Sequence, residues 1–324
     1  MNAIRVHQPG GPEAMRYEEV PDLKPGRGQV LLDVHAIGVN FIEVYQRTGT
    51  YRTPLPFTPG TEAAGLVASL GEGVSELAVG DRVASTSVEG AYAARALVAA
   101  DRLVRLPEGL AWPEAAAALL QGMTAHYLAC STYPLKSGDT CLVHAAAGGV
   151  GLLLVQIAKR RGARVIGTVS TAAKAERARA AGADEVILYR EQDFAAETRR
   201  LTRDAGLEVV YDSVGRTTFE DSMKSLAPRG MLVLYGQSSG PVPAFDPQLL
   251  NHRGSLFLTR PKLADHVASR QELGERAGEV LGWIQRGELK LTIDRTLPLS
   301  QAAEAHRLLE SRTTMGKLVL VPER

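Results

Sequence analysis

Cysteine is nearly missing from this sequence: 324 residues carry two, Cys130 and Cys141. Two thiols outside any CxxC spacing exclude a disulfide framework and suit a reducing cytoplasm, which is the expected compartment. A charge excess of one sign is missing too. Thirty-seven Lys and Arg against 36 Asp and Glu leave a formal net charge of +1, which removes bulk attraction to nucleic acid or to an anionic membrane. The basic doublets Arg160–Arg161 and Arg199–Arg200 read as solvated helix faces. Long hydrophobic runs are absent: the best, LVHAAAGGVGLLLVQIA (142–158), is short for a span and is broken by His144, glycines and Gln156. No membrane insertion is expected. The opening MNAIRVHQPGG lacks the apolar stretch of a signal peptide. No fixed-period repeat and no low-complexity segment is visible.

What is present falls into two textures. Through the first hundred residues, short strands are punctuated by glycine and proline: QVLLDVHAIGV (29–39), AAGLVASLG (63–71) and GDRVAS (80–85). A helix is expected to open at Pro113. From Thr140 strands alternate with Ala-rich helices: TCLVH (140–144), RVIGTV (164–169), EVILY (185–189), EVVYD (208–212), MLVLYG (231–236) and SLFLT (255–259). Glycines 162, 182, 206 and 230 are expected to stop the intervening helices. Apolar strands in such alternation predict an α/β fold with a parallel six-stranded sheet covered on both faces. The tail predicts a helix over 264–286, a strand, a helix over 300–311 and a final strand KLVLV.

Strand TCLVH runs into AAAGGVG and then a helix. Gly148 and Gly151 fill the last two positions of GxGxxG and Ala146 the first, with Gly149 and Val150 between the glycines. Backbone N–H groups of such a loop approach a pyrophosphate at a helix N-terminus. The pattern is weak alone and strong between a strand and a helix in this alternation, so it predicts dinucleotide binding. One carboxylate is conspicuously missing. A site for NAD places Asp or Glu at the end of the second strand, on the ribose 2′-hydroxyl. Here Ser170 and Thr171 stand there instead. Thr171 is the expected N-cap of the next helix, and Lys174 falls where a capping box carries Glu. The third strand ends in Tyr189–Arg190, adding donors to the same corner. A missing carboxylate and added donors predict a 2′-phosphate, hence NADPH.

The stretches GVNFIEVYQRTGTY, PFTPGTEAAGLV, GDRVA, HAAAGGVGLLLVQIAK and TRPKLADHVASR together resemble the NADPH:quinone oxidoreductases, the zeta-crystallin-like, zinc-free branch of the medium-chain dehydrogenase/reductase superfamily. The resemblance covers the whole chain. It implies a GroES-like β-rich catalytic domain from residues 1–124 and 264–324, and a doubly wound Rossmann NADPH-binding domain from 125–263. In zinc alcohol dehydrogenases of the superfamily a Cys stands where this chain has Asn40 and a His where it has Thr61, with Glu62 retained. Their four-cysteine lobe has no counterpart in residues 86–110. Asn, Thr and one carboxylate do not make the N/S-rich site zinc takes, so no metal is expected.

The resemblance further implies that Asn40 and Tyr45 face the nicotinamide and orient a quinone oxygen, with Tyr51 just beyond. It places Thr124 near the nicotinamide amide, Gly236 and Gln237 where the cofactor crosses the carboxyl edge of the sheet, and Lys317 near the pyrophosphate. His144 reads as a packed strand-end residue rather than a base, and Glu62 as the partner of a nearby arginine. Three functions stay open: quinone reductase, reductase of α,β-unsaturated carbonyls (enones), and an NADPH-binding structural or RNA-binding protein. Against the last, there is no basic stripe with interleaved aromatics. Finally, SLFLT (255–259) is apolar on both faces yet belongs at the sheet edge. An uncovered apolar edge predicts a homodimer through that strand, as the resemblance also implies.

Overall fold

The computed structural model describes residues 1–323. The chain divides into two compact units, one built from residues 1–121 and the tail from 269 onward, the other from residues 122–268. No helix among the described residues is long and apolar enough to cross a membrane.

In the first unit β1 (Asn2–Val6) and β2 (Met15–Glu19) form an antiparallel ribbon. The central strand is β3 (Gln29–Val39), which matches the alternating stretch read from the sequence. It pairs antiparallel with β4 (Glu62–Leu70), which carries β5 (Arg82–Ser85) and, beyond it, β7 (Val104–Arg105). The strand β6 (Arg95–Ala99) also lies on β3. Side chains from β1, β3, β4 and β6, among them Ile4, Val30, Leu32, Ile37, Val67 and Val98, fill one core with Tyr92. Helix α1 (Phe41–Arg47) leaves the end of β3, and α2 (Trp112–Tyr127) opens one residue before Pro113.

The second unit is a wholly parallel sheet. Its strands are β8 (Thr140–His144), β9 (Arg164–Val169), β10 (Glu185–Leu188), β11 (Leu207–Asp212), β12 (Leu226–Leu234) and β13 (Phe257–Thr259), in the order β10-β9-β8-β11-β12-β13. Helices α3 (Gly149–Arg160), α4 (Ala172–Ala180), α5 (Phe194–Leu201) and α6 (Phe219–Ser225) make the crossovers. Leu142, Ile166 and Val210 are fully buried, as strands covered on both faces require. The order reverses beside β8, the switch point at which doubly wound sheets bind ligands.

The tail rejoins the first unit. There β14 (Ile293–Pro298) pairs parallel with β15 (Lys317–Val321), and β15 pairs antiparallel with β3, placing Leu318 opposite Val39.

Three local expectations are corrected. The helix expected over 264–286 is two, Leu263–His266 and Arg270–Gln285. Ser269 restarts the helix: its hydroxyl accepts from Glu272 N–H at 3.1 Å, and the Glu272 carboxylate accepts from Ser269 N–H at 3.0 Å. The edge strand spans 257–259 rather than 255–259, because Leu256 N–H donates to Leu250 O at 3.0 Å in the preceding turn and leaves the ladder. Gly230 stops no helix and lies inside β12.

Gly38, on β3, has no room for a side chain. A Cβ there would collide with the Glu62 carboxylate and lie 2.5 Å from the Ala116 carbonyl oxygen. Gly38→Ala is therefore expected to destabilise the protein by about 1–3 kcal/mol, the usual cost of overpacking a filled core. Urea unfolding of the variant beside wild type measures it, and equal midpoints would contradict the packing described.

Candidate functional site

Each unit carries one chemically distinctive region. In the second, β8 ends at His144 and the chain turns through Ala145, whose φ is +51°. The N-cap of α3 is Gly148, and no side chain caps the helix. The first helical bond runs from Leu152 N–H to Gly148 O at 2.9 Å. The preceding N–H groups, of Gly149, Val150 and Gly151, are the ones a helix start offers to an anion. Gly151 is required sterically, since a Cβ would lie 2.9 Å from Ala146 Cα and collide with the Ala145 carbonyl oxygen. Ala146 N–H donates to Thr168 O at 3.2 Å and Gly148 N–H to Ala145 O at 2.8 Å, bonds that set the shape of the loop.

The corner beyond β9 has the expected chemistry. Thr171 is the N-cap of α4, its hydroxyl accepting from Lys174 N–H at 3.4 Å, and the first turn holds no acid. Beside it, Tyr189 N–H donates to Val169 O at 3.1 Å, which fixes Tyr189 and Arg190 next to Ser170. Serine, threonine, lysine, tyrosine and arginine around one helix start fit a phosphate monoester. Gly236 and Gln237 lie just past the end of β12 on the same carboxyl edge, and Thr124 is buried on α2.

The first unit holds a buried polar cluster. Lys317, at 1% exposure, donates to Glu62 Oε2 at 2.6 Å and to Asn40 Oδ1 at 2.7 Å. Asn40 Nδ2 donates to Gly38 O at 3.1 Å and to Glu62 Oε2 at 3.2 Å, while Glu62 Oε1 accepts from Leu120 N–H at 2.7 Å. Three readings are revised by this geometry. Lys317 is engaged inside the first unit and is not a pyrophosphate ligand. Glu62 pairs with this lysine, not with an arginine. Asn40 has committed both amide hydrogens to protein acceptors, so it orients no substrate oxygen by donation.

Glu43 belongs to the same cluster and escaped the sequence reading. Its Oε2 accepts from Asn40 N–H at 2.7 Å, and its Oε1 from the Thr61 hydroxyl and N–H at 3.2 and 3.3 Å. The spacing Asn40-x-x-Glu43 is the signal that could have found it, a capping box at the start of α1. On the same helix the Tyr45 ring lies 5.2 Å from that of Tyr51 and 6.1 Å from that of Phe41. Tyr51 is exposed. The three rings form one aromatic cluster on α1 and the loop after it.

The donor set does not fit zinc. Thr61 and Asn40, the positions of His and Cys in the zinc enzymes, turn their polar atoms to Glu43, Glu62 and Lys317, and an ammonium already sits against the retained carboxylate. Among the described residues no group of three or more His, Cys, Asp and Glu is placed to hold a metal ion.

Residues 26–133 match the alcohol dehydrogenase GroES-like domain family and residues 181–320 a zinc-binding dehydrogenase family. These define a two-part dehydrogenase of the medium-chain type. The chain belongs to the quinone oxidoreductases of that superfamily. It is 43% identical to quinone oxidoreductase 1 of Escherichia coli (strain K12) over 98% of this chain and 99% of that protein. It is 42% identical to a 2-haloacrylate reductase of Burkholderia sp, over 99% of both. The crystal structure of the Escherichia coli quinone oxidoreductase complexed with NADPH matches with a TM-score of 0.98 and 42% identity, covering 99% of this chain and 100% of that one.

Two buried groups of the first unit titrate in opposite senses. Burial pushes the Glu43 carboxyl up to about 7, although Lys317 and the backbone donors pull the other way. Burial, with the Arg47 charge behind it, pushes His306 down to about 3. Between pH 4.5 and 7 the native state keeps the Glu43 proton and the unfolded state does not, so this group lowers stability as pH rises. Below pH 6.5 the unfolded state binds the His306 proton and the native state does not, so this group raises stability as pH rises. The two slopes offset each other in wild type. Glu43→Gln is expected to unmask the histidine slope, with stability climbing more steeply from pH 5 to 7 than in wild type. Urea titrations at three pH values read it, and a variant-to-wild-type difference that does not change with pH would count against it.

Proposed function

We propose that the chain is an NADPH-dependent quinone reductase that works without a metal ion, in the cytoplasm. The observation that carries the reading is the corner after β9, where Ser170, Thr171 and Lys174 replace the carboxylate of an NAD site, in a member of the quinone oxidoreductase family. NADPH supplies the hydride when bound. The N–H groups of Gly149, Val150 and Gly151 hold its pyrophosphate, and Lys174 with Tyr189 and Ser170 its 2′-phosphate. Thr124 and Gln237 orient the nicotinamide end. Tyr45 and Tyr51 stack on the quinone ring, and the Tyr45 hydroxyl orients a quinone oxygen. Hydride addition leaves the hydroquinone monoanion, and water supplies the one proton that completes the hydroquinone.

A second reading stays in view because the Burkholderia relative reduces 2-haloacrylate by its name. An activated alkene accepts hydride by the same chemistry, and substrate panels separate the two. Lys174→Ala is expected to raise KM for NADPH by about tenfold, the worth of one charge-assisted contact, and to leave KM for NADH within twofold. Steady-state kinetics with ortho-quinone, para-quinone and enone acceptors test cofactor and substrate together. Equal use of NADH and NADPH by wild type would overturn the cofactor reading.

We also propose a homodimer through β13. This strand closes one edge of the parallel sheet, and Phe257 on it is 56% exposed. An unpaired edge bearing an exposed aromatic favours pairing with a second copy about a twofold axis. Wild type is expected to sediment as a dimer at micromolar concentration and Phe257→Asp as a monomer; a monomeric wild type rejects the proposal.

A further inference from the structure

His144 ends β8 directly below the glycine loop, yet no step assigned above uses it. It is buried at 1% exposure with the T-shaped face of Phe194 against it. Its Nδ1 meets Thr168 Oγ1 at 2.8 Å and its Nε2 meets Ser222 Oγ at 2.9 Å. Ser222 Oγ in turn donates to Asp212 Oδ2 at 3.1 Å. Thr168, Ser222 and Asp212 are as buried as the histidine.

The direction of every proton in this chain follows from donor counting. Asp212 is a carboxylate and only accepts. Ser222 has one hydrogen, spent on Asp212, so toward His144 it accepts. His144 therefore carries its hydrogen on Nε2 and accepts on Nδ1 from the Thr168 hydroxyl. Burial favours this neutral form, while the nearby Asp212 charge opposes it in part. All three donors thus point the same way, from β9 through β8 and α6 to the carboxylate at the end of β11, an arrangement in which each bond polarises the next.

Both ends of the chain hold cofactor-facing backbone. At one end Thr168 O accepts the Ala146 N–H of the glycine loop, and Ser170 and Thr171 follow two and three residues later. At the other, Asp212 Oδ1 accepts from Val214 and Gly215 N–H at 2.7 and 3.0 Å, and Oδ2 accepts from the Thr218 hydroxyl at 2.7 Å. The loop so held is stitched to the one after β12. Tyr235 N–H donates to Asp212 O at 2.8 Å, Ser239 N–H to Val214 O at 2.8 Å and Thr217 N–H to Ser239 Oγ at 3.1 Å. Gly236 and Gln237 lie within that second loop.

We infer that His144, Ser222 and Asp212 are positioning residues for the cofactor: one polarised hydrogen-bond chain across three strands holds the phosphate end and the nicotinamide end of the carboxyl edge in a single geometry. The inference rests on the NADPH reading above and goes beyond it, because all three side chains are buried beneath the loops assigned there to the cofactor. Breaking the chain should loosen the loops and weaken NADPH binding without altering the chemistry of bound cofactor.

Fluorescence titration gives the NADPH Kd, and turnover at saturating NADPH gives kcat. Ser222→Ala is expected to raise Kd about tenfold, as a buried histidine donor and a carboxylate each lose a partner, with kcat within twofold. Asp212→Asn tests the direction of the chain separately. Its amide nitrogen donates where the carboxylate accepted, so Ser222 must turn its hydrogen to His144, and the imidazole must carry its own on Nδ1. Nitrogen-15 NMR of the histidines should therefore report the Nε2–H form in wild type and the Nδ1–H form in Asp212→Asn. The reversed chain stays continuous, and Kd there should remain within about twofold of wild type, whereas Asp212→Ala should behave like Ser222→Ala. Lower thermal stability of Ser222→Ala at unchanged Kd would reduce the network to core packing and overturn the inference. An unswitched tautomer in Asp212→Asn would overturn it too. A wild type that binds no NADPH removes the underlying reading and the inference with it; tight wild-type binding that Ser222→Ala leaves unchanged removes the inference alone.

Discussion

Glu62 and Lys317 are 255 residues apart in the chain and meet at 2.6 Å, each with 1% exposure. Removing either partner strands a buried charge, at a cost of about 3–5 kcal/mol, so both must arrive together. The carboxylate also takes the Leu120 N–H and the Asn40 amide, which brings β4, α2, β15 and the start of α1 to one point. A one-residue slip of β15 along β3 would turn Lys317 to the opposite face of the sheet and break the pair. The return of the tail to the first unit is therefore a matter of register as well as of apolar burial. Gly38 completes the arrangement by leaving the volume that the Glu62 carboxylate fills.

The same cluster contains two carboxylates and one ammonium, and the lysine is committed to Glu62. Glu43 is left with the start of α1, two backbone N–H groups and a threonine hydroxyl. The Lys317 charge and then these hydrogen bonds lower its pKa but do not offset burial, which is why the group sits near neutrality, at about 7. For the substrate side of the site the consequence is a shift of roles. Asn40, locked between cation and carboxylate, fixes where α1 begins. The aromatic rings of α1 and the following loop, Phe41, Tyr45 and Tyr51, lie together, and it is to them that the proposed stacking on a planar ring falls.

The first four strands of the second unit were legible to within a residue, because a strand buried on both faces is a short apolar run and turn residues bound it, whereas β12 begins five residues before its reading and β13 two after. TCLVH and RVIGTV coincide with β8 and β9. The 264–286 helix was misread because its apolar pattern runs across Ser269, and the capping box that interrupts it weighs less in a periodicity reading than in the backbone. Within the candidate site the division is similar. Ser170, Thr171 and Lys174 lie within five positions and a helix start orders them, so sequence order is spatial order. Asn40, Glu62 and Lys317 owe their meeting to strand pairing, and so do Thr168, His144 and Asp212, while Ser222 arrives on α6 after β11. No local pattern records those encounters, and resemblance alone misassigned Lys317.

The two units also differ in how they encode function. At the glycine loop α3 starts with no side-chain cap, so the informative features are what is left out: the side chain at Gly151 and the carboxylate after β9. In the first unit the informative feature is what has been put in. A zinc enzyme of the superfamily polarises its carbonyl substrate with a divalent ion; the positive charge of this cluster is tethered to β15, paired with a carboxylate and sealed from solvent. A sealed ammonium cannot coordinate or polarise a substrate oxygen. The activation that an ordinary ketone draws from the enzyme must then reside in the substrate. Quinones and activated alkenes meet that condition, since their conjugation already lowers the barrier to hydride addition, and an enzyme acting on them needs chiefly to hold donor and acceptor in line.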